Sequence, residues 1–351
     1  MNKPILIEFG NETNIAQPIE KVVSGKDFVS FGEDNRFPEY LLECYNECTL
    51  LQSCVNTLTD YVSGNGLTDE TIEKTIINKK GMTLMQLLKK ITFDYIIFGA
   101  FSLNILRDTY GKISEIYYLD VKNCRLSEDE KYIYYNSKWS KFSKTVKKYD
   151  SYTYNRKSVN AIYYFKSPKS RNVYGLPLYS SALKDIQCLI EISNFHLGNI
   201  KNNFMASGLI SFNNGTPSEE QQHEIENKIN EKFSGSRNGG KLLITFSDSA
   251  EQAPVFSRMQ DDNYDQKFIQ LQKSSQNNLL ASFRCSSQLL GINPENTSFN
   301  SIEYENAFAI FKSIVVSPIQ REIEDAFAEI DYDYQPEFKE FKVEFNDNQT
   351  L

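Results

Sequence analysis

The chain has 351 residues, 40% hydrophobic and 24% charged, which at roughly 100–200 residues per domain predicts two or three packed units and excludes wholesale disorder. Its 38 lysines and arginines stand against 46 aspartates and glutamates, a net charge of −8. That balance argues against a surface that reads nucleic acid along a broad basic face, although a protein that lets DNA slide past has no need of one.

In chain order, residues 1–37 read as irregular or short-stranded and end in the polar turn Gly32-Glu33-Asp34-Asn35-Arg36. Pro38 opens a helical stretch with Leu41, Leu42, Tyr45, Leu50, Leu51, Val55, Leu58 and Val62 in helical rhythm, stopped by Gly64-Asn65-Gly66. A second helix is predicted from Thr83 to Phe98 and ends at Gly99. From Ala100 to Phe165 the period changes to two, in the runs FSLNILRD, KISEIYYLD, KYIYYN and AIYYFK, which predicts a meander of short antiparallel strands. Lys144 to Lys148 (KTVKK) reads as a solvated turn within it.

Tyr174-Gly175-Leu176-Pro177-Leu178 is a turn before a long helix, Ser181 to Phe204, of about 24 residues and roughly 36 Å. Leu183, Ile186, Ile190, Leu197, Ile200 and Phe204 form a heptad seam with Ser193 in the vacant place, and Leu189, Ile192 and Phe195 form a second stripe beside it. Two stripes call for neighbours on two sides, either a ring of identical helices or burial within one domain. Residues 206–258 read as a compact insert: strands at Gly208 to Phe212 and Lys241 to Phe246 bracket a small helix with Thr216, Pro217 and Glu219 marking its start. A helix from Tyr264 to Arg284, a polar loop Ser286 to Ser301, a helix from Ile302 to an end near Pro318, a helical continuation over 319–330 and a closing strand Phe338 to Phe345 complete the chain.

Nothing in this order assembles a catalytic constellation. The six cysteines show no CxxC pair, and Cys44, Cys48 and Cys54 fit neither zinc nor iron–sulfur spacing, so free thiols are expected. The only histidines are His196 on the long helix, expected to be packed, and His223 among glutamates, expected to be solvated. Lys241 follows glycines but opens a strand instead of a helix, which removes a phosphate loop. Asp261-Asp262 and Asp331-Tyr332-Asp333 could bind a cation but lack a third ligand and read as helix starts or turns. A cytosolic metal-dependent nuclease using Asp261, Asp262 and Asp331 is the alternative reading. No cofactor is expected. The opening MNKPILIEFGNET lacks a signal core and no run of about eighteen apolar residues exists, so no membrane partner is expected and the protein is expected to stay where it is made.

The ordered set of weaker motifs is more informative. Gly32-Glu33-Asp34-Asn35 with Pro38; Tyr174-Gly175-Leu176-Pro177-Leu178; Asn202-Asn203-Phe204; Ser207-Gly208-Leu209-Ile210; Ser218-Glu219-Glu220; Asn238-Gly239-Gly240-Lys241; Asp265-Gln266-Lys267-Phe268; Leu289-Leu290-Gly291; Ser298-Phe299-Asn300-Ser301 and Pro318 follow one another along most of residues 31–330. This order resembles the HK97-like portal proteins of tailed bacteriophages, with another head–tail connector ring as the third reading.

The resemblance implies an α+β portal fold and a non-enzymatic ring of about twelve subunits around a DNA channel. Residues 1–181 and 302–351 would form the wing, 182–205 and 263–285 the stem helices, 206–262 the clip and 286–301 the tunnel loop. Leu183, Ile186, Ile190, Leu197, Ile200 and Phe204 would be the ring-interface stem. Glu219, Glu220, Glu224 and Arg237 would serve clip docking, and Gln288, Asn293, Asn296 and Asn300 would face the DNA. The implied partners are the large terminase subunit, the major capsid protein and scaffold, a head–tail connector, and double-stranded DNA without sequence preference. The implied place is the portal vertex of a virion assembled in the host bacterial cytoplasm. Two departures stand out: Cys285-Ser286-Ser287 replaces the Val-Pro-Pro usual before the Leu-Leu-Gly, and the short tail leaves little or no room for a helical crown. The clip segment carries nine acids against five bases, and the tunnel loop has Glu295 as its single charge, a composition that suits DNA passing without being held.

Overall fold

The computed structural model describes residues 16–23, 27–139, 146–201, 208–212, 218, 220, 242–246, 264–292 and 301–340. It divides into two compact units, Met1–Gln187 with Gln276–Leu351, and Cys188–Ser275.

The first unit opens with two helices where the apolar rhythm predicted one. α1 (Phe37–Glu47) and α2 (Thr49–Ser63) are separated by Cys48 in extended backbone. The Cys48 amide donates to Cys44 O at 2.9 Å and its carbonyl accepts from Gln52 at 3.0 Å. The break therefore turns the chain with neither group of Cys48 unpaired, and Cys44, Cys48, Leu51 and Cys54 are all buried. That is why periodicity alone does not reveal it. After the short α3 (Glu70–Glu73), α4 (Leu84–Phe98) starts at a reciprocal Thr83–Gln86 capping box and ends at Gly99 in the left-handed region. Leu84, Leu87, Leu88, Ile91, Ile96, Ile97 and Phe98 are all at or below 1% exposure, making α4 the central helix of the unit.

Against it lies a six-stranded sheet of order β2-β1-β6-β5-β4-β3. Its strands are β1 (Ala100–Arg107), β2 (Ile113–Leu119), β3 (Cys124–Leu126), β4 (Tyr132–Tyr135), β5 (Lys147–Ser151) and β6 (Asn160–Lys166). The antiparallel meander is corrected at two places: β1 pairs antiparallel with the distant β6, so β2 and β3 are not neighbours, and β5 and β6 pair in parallel, through Asp150 with Ala161 and Ser151 with Ile162. Lys147 and Lys148 belong to β5 and not to a turn, with Lys148 Nζ 3.7 Å from the Tyr132 ring centroid. β3 and β5 are short and polar, and tertiary pairing overrides their weak propensity. At the β2 edge, Ile116 donates to Ile77 O at 2.9 Å and its carbonyl accepts from Asn78 Nδ2 at 2.9 Å, so the 77–79 turn closes part of an exposed ladder.

Two devices fix how the chain reaches the long helix. Arg125 on β3 is fully buried, and its guanidinium donates to Asn35 Oδ1 and to the carbonyls of Asn35 (2.6 Å), Lys122 (2.8 Å) and Cys124 (2.7 Å). It lies over the rings of Trp139 at 4.8 Å and Phe31 at 5.7 Å. Asn35 holds φ 64 and also accepts from Phe31 N at 3.0 Å. Phe31 in turn stacks on Tyr174 at 4.1 Å, whose hydroxyl donates to Val29 O (2.6 Å) and accepts from Leu126 N (3.0 Å). The second device is the crossing of Gly99 and Gly175. A Cβ on Gly99 would lie 2.1 Å from Leu176 O, and one on Gly175 would lie 2.3 Å from Gly99 O, so both positions require the missing side chain.

α5 (Leu183–Lys201) follows, and α6 (Tyr264–Phe283) returns the chain to the first unit. In the second unit β7 (Gly208–Phe212) and β8 (Leu242–Phe246) pair in parallel register. The helix between them lies outside the described residues apart from Ser218 and Glu220.

α7 (Ser301–Phe311) does not stop near Pro318. A π-helical turn, Lys312–Val316, joins it to α8 (Ser317–Ile330), with Pro318 in the first turn of α8. Proline lacks an amide proton and clashes with the carbonyl four residues back; the widened turn accommodates both and the helix continues. The buried row Phe311, Val315, Ile319, Ile323, Phe327 and Ile330 supplies the reason to continue. Asp331 ends the helix in the left-handed region, φ 56. Phe338 forms a single antiparallel bridge with Leu67, and residues 341–345 of the expected closing strand lie outside the described residues.

Replacing Arg125 by Met keeps the stem and removes the donors, leaving three buried carbonyls and the Asn35 side chain without that partner. The expected loss is about 3 kcal/mol in urea unfolding; a loss under about 1 kcal/mol would show that neither the hydrogen bonds nor the cation–ring contacts of Arg125 hold this corner.

Candidate functional site

The long helix α5 passes through two environments. In the first unit Leu183 is 6% exposed and Ile186 is fully buried. There Asp185 Oδ1 accepts from Asn278 Nδ2 at 3.0 Å, and Tyr179 stacks on Phe283 at 5.4 Å. Further along, Leu189, Ile190 and Ile192 are buried, but Phe195, Leu197 and Ile200 are 40%, 49% and 57% exposed. Within the second unit α5 and α6 touch through Phe195 and Phe268, stacked at 5.2 Å, with the His196 ring 5.9 Å and 6.2 Å from them. Ile269 and Leu271 of α6 add exposed apolar surface at 52% and 48%. In the first unit Ile302, Ile310 and Ile314 are likewise exposed.

The heptad seam is not uniform: Leu183 and Ile186 in the first unit and Ile190 in the second are buried, while Leu197 and Ile200 are exposed. Leu197 and Ile200 are free to meet a neighbour; Phe204 lies outside the described residues. His196, expected to be packed, lies edge-on to Phe195 and Phe268 but is exposed to solvent.

The loop expected from 286 to 301 is partly built. Ser287–Leu290 is a 3₁₀ turn, closed by Gly291 at φ 72. Leu289 is buried while Gln288 is half-buried, and its carbonyl accepts from Gly291 N at 3.0 Å. Asn293, Asn296 and Asn300 lie outside the described residues, as do Glu219, Glu224 and Arg237 of the clip; Glu220 is exposed.

Among the described residues the chemistry-bearing groups do not converge. Asp261, Asp262 and His223 lie outside the described residues, and Asp331 is the helix-ending residue of α8. Among the described residues no three His, Cys, Asp or Glu side chains come together as a metal site. The six cysteines are free thiols, five of them buried. Burial pushes the Cys44 thiol up to about 11 and Cys285 up to about 12, so neither is a thiolate at neutral pH. Burial also raises Asp94, which accepts from Tyr118 Oη at 3.0 and 3.1 Å and joins α4 to β2. Arg125, which holds the corner described above, carries no motif.

Comparison with known proteins follows this geometry. The family model described as phage portal protein matches residues 73–351. An uncharacterized protein of Rickettsia bellii is 31% identical over 132 residues, covering 37% of this chain and 33% of that protein, so the chain spans about a third of the curated relatives it matches. Among solved structures, the neck of a native gene transfer agent particle, computed with C12 symmetry, superposes with TM-score 0.54 at 14% identity, over 84% of this chain and 80% of that one. An HK97 family phage portal protein from Corynebacterium diphtheriae superposes with TM-score 0.51 at 14% identity, over 82% and 88%.

Burial separates two substitutions on one seam. Ile190→Asp places a charge at a site 4% exposed, expected to cost about 3 kcal/mol and to lower the melting temperature by about 6–12 °C. Leu197→Asp is expected to stay within about 2 °C of the parent in the same scan; equal losses would mean that burial along α5 does not follow this pattern. The α+β fold, the helix-flanked second unit and the family match over residues 73–351 agree: the chain belongs to the phage portal protein family.

Proposed function

We propose that the chain is a portal subunit, closing into a ring of about twelve copies around a channel for double-stranded DNA at one vertex of a capsid. The observation that carries this reading is the exposed apolar surface of the second unit, Leu197, Ile200, Ile269 and Leu271, in a member of a structural virion family. Large apolar side chains left exposed on two neighbouring helices suit an unmade contact, and a ring of identical copies supplies one on each side. The twelvefold symmetry of the related neck supports that number.

The rest of the reading assigns roles by charge and position. Residues 182–205 and 263–285 serve as stem, 206–262 as clip, and 1–181 with 302–351 as the wing that meets capsid protein and scaffold. The clip, four charges negative in sequence, is where the terminase docks during packaging and a head–tail connector later, through Glu219, Glu220, Glu224 and Arg237. DNA bears about one negative charge per 1.7 Å of axis, and a basic lining would hold it by counterion release. A segment presenting Gln288, Asn293, Asn296 and Asn300 with Glu295 as its one charge touches the duplex without gripping it. ATP hydrolysis stays with the terminase; this chain shapes the path.

Two measurements test the reading. Native mass with negative-stain imaging is expected to find particles of about twelve times 40.5 kDa with a central hole, and Leu197→Asp combined with Ile200→Asp to leave folded monomers; rings from that variant would remove the stem interface. Deleting residues 293–300 is expected to preserve the ring and to lower the nuclease-protected DNA per particle. Undiminished DNA would remove the channel role of that segment.

A further inference from the structure

We infer that Asp94 is a proton-binding site of the first unit: it is kept as a neutral carboxylic acid at neutral pH, and its proton closes the joint between α4 and the connection from β2 to β3.

Asp94, on α4, is 3% exposed. Both of its oxygens meet one phenol: Tyr118 Oη, on β2, lies 3.1 Å from Oδ1 and 3.0 Å from Oδ2. A phenol has one proton to give, so a bare carboxylate uses only one of these contacts at a time. A protonated carboxyl uses both, donating through one oxygen and accepting through the other. The charged and titratable groups around the pair come from each element that packs there. On α4 itself, Lys90 Nζ lies 5.0 Å from the centroid of the Tyr118 ring. On the connection, Asp120 and Lys122 are paired with each other, Oδ2 to Nζ at 3.0 Å, and Cys124 on β3 is a fully buried thiol. Among the described residues Asp94 is left without an ion pair.

A carboxylate at this depth with no cation of its own is less favourable than the neutral acid. Burial, with the negative charge of Asp120 added to it, raises Asp94 well above the ordinary carboxylate range, against the pull of the Tyr118 hydroxyl, the Val121 amide and Lys122. The joint also lies beside the acceptors of the buried arginine. Asp120 opens the 3₁₀ turn Val121–Asn123 by accepting from Lys122 N at 3.0 Å. Lys122 O then accepts from Arg125 at 2.8 Å, and Asn123 O from Trp139 Nε1 at 2.9 Å. An unfolded chain releases the Asp94 proton near pH 4, about the ordinary aspartate value, whereas the folded unit keeps it. Above that pH the folded state holds one proton more, so stability falls as pH rises and levels off only above the raised value of Asp94.

The experiment unfolds the full chain in urea from about pH 5 to about pH 9, followed through Trp139, the single tryptophan, which belongs to the first unit. Asp94→Asn has nearly the same shape, and its amide donates and accepts as the neutral acid does but does not titrate. The folding constant of the parent relative to Asp94→Asn is expected to fall about tenfold per pH unit between about pH 5 and pH 7, the other titrating groups being common to both. Asp120→Asn removes the neighbouring charge and is expected to bring the levelling-off to lower pH. The infrared spectrum of the folded parent at neutral pH is expected to show a protonated-carboxyl carbonyl band that Asp94→Asn loses and Tyr118→Phe shifts. Parallel pH curves for the parent and Asp94→Asn overturn the inference, and so does a spectrum that loses no such band. If Asp94→Asn does not fold, Tyr118→Phe decides: carboxyl bands that stay where they were overturn the inference equally.

Discussion

A permanently charged guanidinium sits in the interior of the first unit, and much of the fold is arranged to make that tolerable. Arg125 takes carbonyls and the Asn35 amide as acceptors, and it lies across the faces of Trp139 and Phe31. An unpaired buried cation would cost several kcal/mol, so these acceptors must be held in place before the charge can be buried. Holding them fixes Asn35 in a left-handed conformation, sets the entry to α1, and brings Phe31 onto Tyr174. Tyr174 then hydrogen-bonds both to the N-terminal segment and to β3. One residue later Gly175 crosses Gly99 at a distance no side chain permits. The direction in which the chain leaves for α5 is the result of this sequence of constraints.

That direction matters because α5 serves folding at one end and carries exposed apolar surface at the other. Leu183, Ile186 and Ile190 are buried; Leu197 and Ile200 are not. A helix divided in this way leaves Leu197 and Ile200 out of the buried set, which suits the ring proposed above because the residues buried within the chain are not those a neighbouring copy would cover. The same economy holds in α7 and α8. The row from Phe311 to Ile330 is buried through a π turn, and Ile302, Ile310 and Ile314 remain outside.

Several elements were legible without a structure because their signals are local. The capping box of Thr83 and Gln86 and the stop at Gly99 give α4 within a residue, and the period-two runs give β1, β2, β4 and β6. The ordered motifs gave the portal resemblance, and two of them now have physical causes: Gly32-Glu33-Asp34-Asn35 places an acceptor for Arg125, and Tyr174-Gly175 makes the stack and the crossing. Other features were not legible. The break at Cys48 leaves the apolar rhythm intact, and the charged strand Lys147–Ser151 looks like a turn. Pro318 looks like an end, yet a widened turn carries the helix past it.

By itself, then, the sequence determined α4, most of the period-two strands and the family its motifs follow. These depend on contacts between residues a few positions apart, where side-chain period, caps and turn residues act directly on the backbone. Tertiary structure alone decided that β5 runs parallel to β6, that half of the α5 seam is buried, and that Asp94 meets Tyr118 in the interior. Those outcomes depend on which surfaces are buried against each other, and a helical stripe looks the same in sequence whether its own chain or a neighbour covers it.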